Sequence, residues 1–252
     1  MSRVLVFDSG VGGLSVHRAI DAAMPAIDLL YLADDAGFPY GEMDENTLKA
    51  RVVDIVSEAI ATHEPDAVVI ACNTASTLVL DDLRTRFACP FVGTVPAIKP
   101  AAAASRTGLI SVLATPATVR RDYTKDLIEA HAGACAVTLV GAPRLAGLAE
   151  AYLREEPVAD DDLGVEVAPC FVRAASARTD HVVLACTHFP LLIDRLTGIA
   201  PWPVTWIDPS PAIARRVRDV LNEPETGGRV REFRTTSGKP WPHTTFRGAS
   251  PD

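Results

Sequence analysis

What the sequence lacks narrows its function before any motif is found. It contains no Cys-x-x-Cys and no His-x-x-x-His, so the usual zinc-binding spacings are missing. No apolar run approaches the roughly 18 residues that a membrane-spanning helix needs. The formal charge is −8 and no basic patch stands out, which argues against a nucleic-acid binder. Arg120-Arg121 and Arg215-Arg216 are isolated pairs and read as solvated helix faces. The chain enters an apolar strand at Val4-Leu5-Val6-Phe7 with no charged-then-apolar leader ahead of it. Its five cysteines show no tight pairing, which predicts a reducing cytoplasm rather than a disulfide framework. The stretch Gly10-Val11-Gly12-Gly13 does not fit Gly-x-Gly-x-x-Gly, so a dinucleotide site is not indicated. A ligand approaching the helix start behind it and a plain tight turn both remain open.

What is there is an ordinary globular composition, 48% hydrophobic and 22% charged over 252 residues, long enough for one large domain or two small ones. Two stretches organise it: Val68-Val69-Ile70-Ala71-Cys72-Asn73-Thr74 and Val182-Val183-Leu184-Ala185-Cys186-Thr187-His188. Each is a largely β-branched apolar run that ends in Ala-Cys and then turns polar. Such a run predicts a strand buried on both faces. Its carboxyl end, where the thiol falls, is where open α/β sheets bind ligands. Further strands are expected at 3–7, 29–33, 91–95, 107–114, 137–140, 205–208 and near 230–235. Helices are expected at 15–20, 45–62, 77–87, from 116 towards 130, up to 153, at 165–177, after Phe189 and at 211–221. Residues 155–162 read as a solvated acidic loop and the tail from about Gly248 as disordered. The alternation predicts α/β units with parallel sheets. Helices 45–62 and 165–177 stand in similar relation to the two Cys strands, a weak internal duplication. Two like domains facing each other would bring both thiols to one cleft.

A lone cysteine at a strand end mostly packs as a small hydrophobe, and Cys89, Cys135 and Cys170 are read that way. Cys72 and Cys186 differ because polar neighbours recur with them, Asn73-Thr74 and Thr187-His188. Three chemistries suit two thiols. A redox disulfide needs them mutually accessible. A metal site needs further ligands, of which His188 is one. A two-base proton transfer needs them on opposite faces of a substrate carbon, and facing domains favour that arrangement. With a free-thiol pKa of roughly 8.5, modest stabilisation would make such a base near neutral pH.

Five motifs occur in order: Val6-Phe7-Asp8-Ser9-Gly10-Val11-Gly12-Gly13-Leu14, Phe38-Pro39-Tyr40-Gly41, Ala71-Cys72-Asn73-Thr74-Ala75-Ser76, Val95-Pro96-Ala97-Ile98-Lys99-Pro100 and Ala185-Cys186-Thr187-His188-Phe189-Pro190-Leu191-Leu192. Through them the chain resembles the cofactor-independent aspartate/glutamate racemase superfamily, and within it the glutamate racemases, from Val4 to about Phe246. The resemblance implies an α/β fold of two pseudo-symmetric domains with mostly parallel sheets flanked by helices, the active site in the cleft between them. Here these would be residues 1–95 with 207–252, and residues 96–206. It implies interconversion of L- and D-glutamate for peptidoglycan synthesis by a cytoplasmic enzyme. Neither pyridoxal phosphate nor a metal is expected. Cys72 and Cys186 would be the acid/base catalysts, the first serving the D-enantiomer and the second the L-enantiomer. Asp8 would assist the first and His188 the second, and Glu150 falls near a further acidic helper. Ser9, Tyr40, Gly41, Asn73, Thr74, Thr118 and Thr187 match positions that hold the substrate's amino and carboxylate groups. A homodimer and, as in some relatives, a UDP-linked cell-wall precursor as activator are implied by resemblance alone. The chain departs from the family at Ala142-Pro143, where Cys-Pro is common, and in the short stretch Val119-Arg120-Arg121-Asp122-Tyr123. Racemisation of another amino acid such as aspartate, or of a hydantoin, stays open, as does amino-acid binding without turnover.

Overall fold

The first half of the chain builds one sheet and the second half another, and the residue alternation shows why. The computed structural model describes residues 1–222, 227 and 230–239. In chain order the first half holds β1 (Arg3–Asp8), α1 (Leu14–Ala23), β2 (Asp28–Ala33), α2 (Glu45–His63), β3 (Ala67–Ile70), α3 (Asn73–Arg86) and β4 (Phe91–Gly93). The second half holds α4 (Ile98–Ala104), β5 (Leu109–Ala114), α5 (Pro116–Arg120), α6 (Asp122–His131), β6 (Ala136–Gly141), α7 (Leu145–Leu153) and α8 (Asp160–Val167). It continues with β7 (Arg173–Ala174), β8 (Ala177–Arg178), β9 (His181–Ala185), α9 (Ile193–Ile199) and β10 (Thr205–Ile207). Then α10 (Ser210–Leu221) and β11 (Arg231–Thr235) return to the first half.

Along β1, Val4 and Val6 pack under α1 and α10, beside Leu14, Val16, Ile213 and Val217. Leu5 and Phe7 pack on the other face against Leu48, Val52 and Val79 of α2 and α3. The two-residue period of a strand thus feeds two cores, and the sheet is buried on both faces as its continuous apolar runs require. In the second sheet Val182 and Leu184 join Leu145, Leu163 and Leu196, while Val183 joins Ile98, Ile110 and Val112.

Among the described residues the first sheet runs in the order β11-β2-β1-β3-β4 and the second β10-β9-β5-β6. All pairings within both are parallel. Read from the second strand of each half, the orders are β2-β1-β3-β4 and β6-β5-β9-β10, the same path twice. Both Cys strands occupy the third position of that path. The duplication lies in topology, and β11 is added at the edge of the first copy alone.

Local expectations needed correction in several places. The helix expected at 165–177 ends at Val167. A single 3-10 turn, Ala168–Cys170, carries Pro169, which has no N–H to continue a helix, and β7 and β8 form a small antiparallel hairpin after it. The acidic stretch read as loop to Asp162 already turns helical at Asp160, and Asp160, Asp161 and Asp162 fill the first turn of α8, where the helix dipole favours negative charge. The helix expected from 116 breaks at Arg121, whose ψ of 135° is extended. The helix expected at 77 begins at Asn73, with Cys72 as its N-cap. Helix α4 was not anticipated. The reading of the tail from Gly248, and the end of the resemblance near Phe246, lie outside the described residues. No helix among those described is long and apolar enough to cross a membrane.

Candidate active site

Both thiols open onto one small pocket at the carboxyl ends of β3 and β9. Its walls include Ser9, Phe38, Tyr40, Gly41, Cys72, Asn73, Thr74, Thr115, Cys186, Thr187 and His188. The sequence-expected residues Ser9, Tyr40, Gly41, Asn73, Thr74 and Thr187 therefore meet here. Thr118 lies immediately behind, its hydroxyl 3.4 Å from that of Thr74. Cys89, Cys135 and Cys170 line no part of this pocket.

The first thiol sits where a strand gives way to a helix. Cys72 receives the Ala75 N–H at the start of α3 and the Ser9 hydroxyl, both of which favour a thiolate. They do not prevail. Burial first, and then the negative charge of Asp8, push its pKa up to about 12. The sequence expectation that this turn would draw the thiol toward neutral pH is therefore reversed at Cys72, because desolvation outweighs two hydrogen bonds. Asp8 is itself fully buried, and burial raises its carboxyl although His188 and several hydrogen bonds pull it down. Its oxygens accept from the Thr187 hydroxyl at 3.0 Å and from the Gly10 N–H at 3.1 Å. Asp8 does not occupy the N-cap of α1; Gly13 does.

The second thiol faces a relay. Cys186 Sγ lies 3.8 Å from His188 Nδ1, and His188 Nε2 lies 2.9 Å from Glu150 Oε1. Glu150 also accepts from the Val11 N–H at 2.8 Å and from Arg154 at 2.8 Å. Burial would lower the imidazole's pKa, but the Cys186 and Glu150 hydrogen bonds and the charges of Cys186 and Asp8 raise it well above the ordinary value. Burial raises Glu150, yet its bonds to His188 and Val11 bring it below the usual range. Glu150 and His188 thus form a buried charge pair, each supplying what the other needs to stay ionised.

The relay explains the glycines after β1. A Cβ at Gly10 would collide with Glu150 Oε1, and one at Gly12 would collide with the His188 ring at Nδ1. These positions have no side chain because side chains from the second half occupy the space. The alternatives left open for this loop, ligand approach or bare turn, give way to a third: close approach of the other half's own residues.

A hydroxyl cluster forms the opposite wall. Thr115 lies 3.2 Å from Thr74 and 3.0 Å from Thr118, oxygen to oxygen. Beside it, Asn73 Oδ1 accepts from the Thr94 hydroxyl at 3.4 Å, while Asn73 Nδ2 is buried and has no hydrogen-bond partner among the described residues. A buried amide N–H without a partner is costly, and a carboxylate in the pocket would satisfy it.

Sequence reasoning missed Thr115, which stands just before Pro116 and caps α5 by accepting from the Thr118 N–H at 3.3 Å. Glu150 was placed only loosely. The signal was present, a lone acid on the buried face of the apolar helix Leu145–Leu153. Asp34 and Arg51, which anchor Tyr40, had no sequence signal, since they meet only through the turn after β2.

Comparison with known proteins adds the following. A family model described as Asp/Glu/Hydantoin racemase matches residues 12–217. Glutamate racemase from Brucella canis is 55% identical over 219 residues, covering 86% of this chain and 79% of that protein. Glutamate racemase from Sinorhizobium medicae is 53% identical over 243 residues, covering 94% and 89%. Among solved structures, Escherichia coli glutamate racemase in complex with L-glutamate and the activator UDP-MurNAc-ala superposes with a TM-score of 0.88 at 40% identity, covering 95% of this chain and 90% of that one.

Proposed function

The chain belongs to the Asp/Glu/hydantoin racemase family, and from that premise we propose that it interconverts L- and D-glutamate by two-base proton transfer at the α-carbon. The observation that carries this reading is the convergence of Cys72 and Cys186, from equivalent strands of a duplicated topology, on one pocket. Curated relatives above 50% identity over most of the chain are glutamate racemases, and that supports the choice of substrate.

With L-glutamate bound, the Cys186 thiolate takes the α-proton and becomes a thiol. The electron pair stays on the α-carbon, delocalised into the carboxylate. The Cys72 thiol delivers its proton to the opposite face, giving D-glutamate and a Cys72 thiolate. The reverse reaction exchanges the roles. Cys72, whose thiol is held up by burial and Asp8, suits the delivering role in this direction, and Cys186 faces His188 at 3.8 Å. General acid–base catalysis works best with groups already in the right protonation state. Asn73, Thr74, Thr115 and Thr187 supply donors and acceptors for the amino acid's head groups, with Thr118 holding the Thr74 and Thr115 hydroxyls from behind and Ser9, Tyr40 and Gly41 completing the wall. Both protons are carried on sulfur, so the reading calls on no cofactor.

The reading extends to context. It takes the halves as residues 1–95 with 207–252 and residues 96–206; the described strands follow this division except at Ile207, the last residue of β10, which pairs with Val183 of the second sheet. It places the enzyme in the cytoplasm as a homodimer supplying D-glutamate for peptidoglycan. The Escherichia coli relative was solved with UDP-MurNAc-ala as activator, so activity is to be measured with and without such a UDP-linked precursor.

The test uses pure enantiomers of glutamate and aspartate in deuterated water. Loss of optical rotation is expected with glutamate. At early times deuterium should enter the product enantiomer and hardly enter recovered substrate, because the delivering thiol took its proton from solvent beforehand. Comparable early label in recovered substrate would mean one base serves both faces, and racemisation of aspartate alone would overturn the substrate.

A further inference from the structure

We infer that Asp34 is a positioning residue for this reaction: its carboxylate ties the loop carrying Tyr40 and Gly41 to helix α2 and to the turn after strand β11, so that β11 sets one wall of the pocket. The inference rests on the racemase reading above.

Asp34 follows β2 directly, and its side chain is fully buried, 0% exposed. Four donors saturate its two oxygens. Oδ2 accepts from the Tyr40 hydroxyl at 2.6 Å and Arg51 Nε at 2.5 Å, and Oδ1 accepts from Arg51 Nη2 at 2.6 Å and the Thr236 hydroxyl at 2.6 Å. These donors come from the pocket loop, from α2 and from the turn after β11, so three separate segments meet on one carboxylate. Charge-assisted hydrogen bonds of this kind are among the strong ones. Burial would raise the carboxyl, but the bonds from Arg51, Thr236 and Tyr40 take it below its usual range.

Tyr40 shows the consequence for the pocket. Burial and the Asp34 charge push its phenol far above the ordinary value, so the hydroxyl keeps its proton and donates it to Asp34. Tyr40 therefore presents ring and backbone to the pocket, with the hydroxyl as its anchor. Gly37 supports the same reading independently: a Cβ there would stand 2.5 Å from Arg51 Nε and 2.6 Å from Asp34 Oδ2. The turn after β11 is laced to the same loop, through Thr236 N–H to Ala33 O at 3.0 Å, Ala36 N–H to the Thr236 hydroxyl at 3.2 Å and Ser237 N–H to Asp35 Oδ1 at 2.9 Å. The Asp34 N–H donates to Asp8 O at 2.8 Å, so the hub also touches the backbone beside the first thiol. Among the described residues β11 is the one strand of the first sheet that stands outside the duplicated order, and this anchorage gives it a role at the pocket.

The experiment measures kcat, KM, the primary isotope effect and Tm in both directions for the full chain and for Asp34→Asn, Tyr40→Phe, their double variant and Thr236→Val. Asp34→Asn should raise KM about ten-fold, the loss expected for one hydrogen bond to a charged group, with kcat and the isotope effect nearly unchanged. Thr236→Val should raise KM about three-fold. The double variant should lose less than the sum of the two single variants, since both changes act on the same contact. Should Asp34→Asn fail to fold, Thr236→Val, which loses only hydroxyl contacts, carries the same reading. A lower Tm with unchanged KM would make the hub merely structural and overturn the inference. So would a collapse of kcat at unchanged KM, or additive effects in the double variant. A parent chain inactive on glutamate would overturn the racemase reading beneath it, a result distinct from an active parent with unaffected variants.

Discussion

The two thiols stand at the same point of a repeated topology, yet their surroundings differ in kind. Cys72 caps a regular helix, α3, and its polar company is the N–H of Ala75, the hydroxyl of Ser9 and a buried carboxylate. Cys186 is followed by the 3-10 turn Phe189–Leu192 instead, and that irregular turn carries His188, backed by Glu150, to the sulfur. One setting withholds charge from its thiol; the other offers a positive partner. A proton transfer that runs in both directions needs one thiol and one thiolate at any moment. The lesson is that symmetry of fold places the two groups, while the side chains around each differ.

The strongest way to break this comparison is to remove the sulfurs. Cys72→Ser and Cys186→Ser should each lower racemisation by about 1,000-fold or more, within the range general acid–base groups contribute, because a serine hydroxyl is far too weak a base. Polarimetry or a chiral assay in both directions reads this, with near-unchanged Tm as the control for folding. Cys89→Ser, outside the pocket, should be nearly silent. If either pocket variant kept most of its turnover, the two settings would not be partners in one reaction.

A smaller effect sharpens the comparison by touching the helpers. Asp8→Asn and His188→Asn should each cost about 100-fold, but unequally. Equilibrium fixes the ratio of kcat/KM for the two directions, so the inequality appears in kcat and KM separately and in isotope effects. Asp8→Asn should enlarge the isotope effect on the step served by Cys72, and His188→Asn the one served by Cys186. Equal isotope effects in both directions for both variants would erase the division of labour.

The legibility of this molecule in its sequence follows the same line. The strands that place the thiols were readable because Val68-Val69-Ile70 and Val182-Val183-Leu184 are continuous apolar runs, and a strand buried on both faces writes itself that way. The polar residues just after them were readable because they adjoin the cysteines in sequence. Glu150, Thr115 and Asp34 act across the fold, and sequence adjacency carries no record of them. The helix expected at 165–177 stops short at Pro169, which has no N–H to extend it. The glycines of the first loop misled for a different reason: their neighbours are His188 and Glu150, well over a hundred residues away in the chain.

The smallest effect tests whether partners or burial decide the charge of an imidazole, the premise on which the asymmetry rests. His17 and His188 are equally buried, each 2% exposed. His188 has Cys186 and Glu150 on its two nitrogens; neither nitrogen of His17 has a hydrogen-bond partner among the described residues. His17 packs instead against Tyr31 and Phe233, with ring centroids 6.0 and 5.0 Å away. Burial lowers its pKa to about 4, with Asp21 opposing and Arg231 and Arg18 assisting. Its folded value lies below the unfolded one near 6.5, so the unfolded chain binds more protons between pH 6.5 and 4. Stability therefore falls as pH drops through that window. His188 has the opposite slope: its raised pKa adds stability on the acid side that fades as pH climbs past the folded value. His17→Leu should leave racemisation at pH 7 unchanged and reduce the stability lost between pH 7 and pH 5 by about 2 kcal/mol, measured as the difference in urea midpoints at the two values. If parent and variant lost the same amount, a partnerless buried imidazole would cost nothing to protonate here, and the charge assigned to His188 could no longer be credited to its partners.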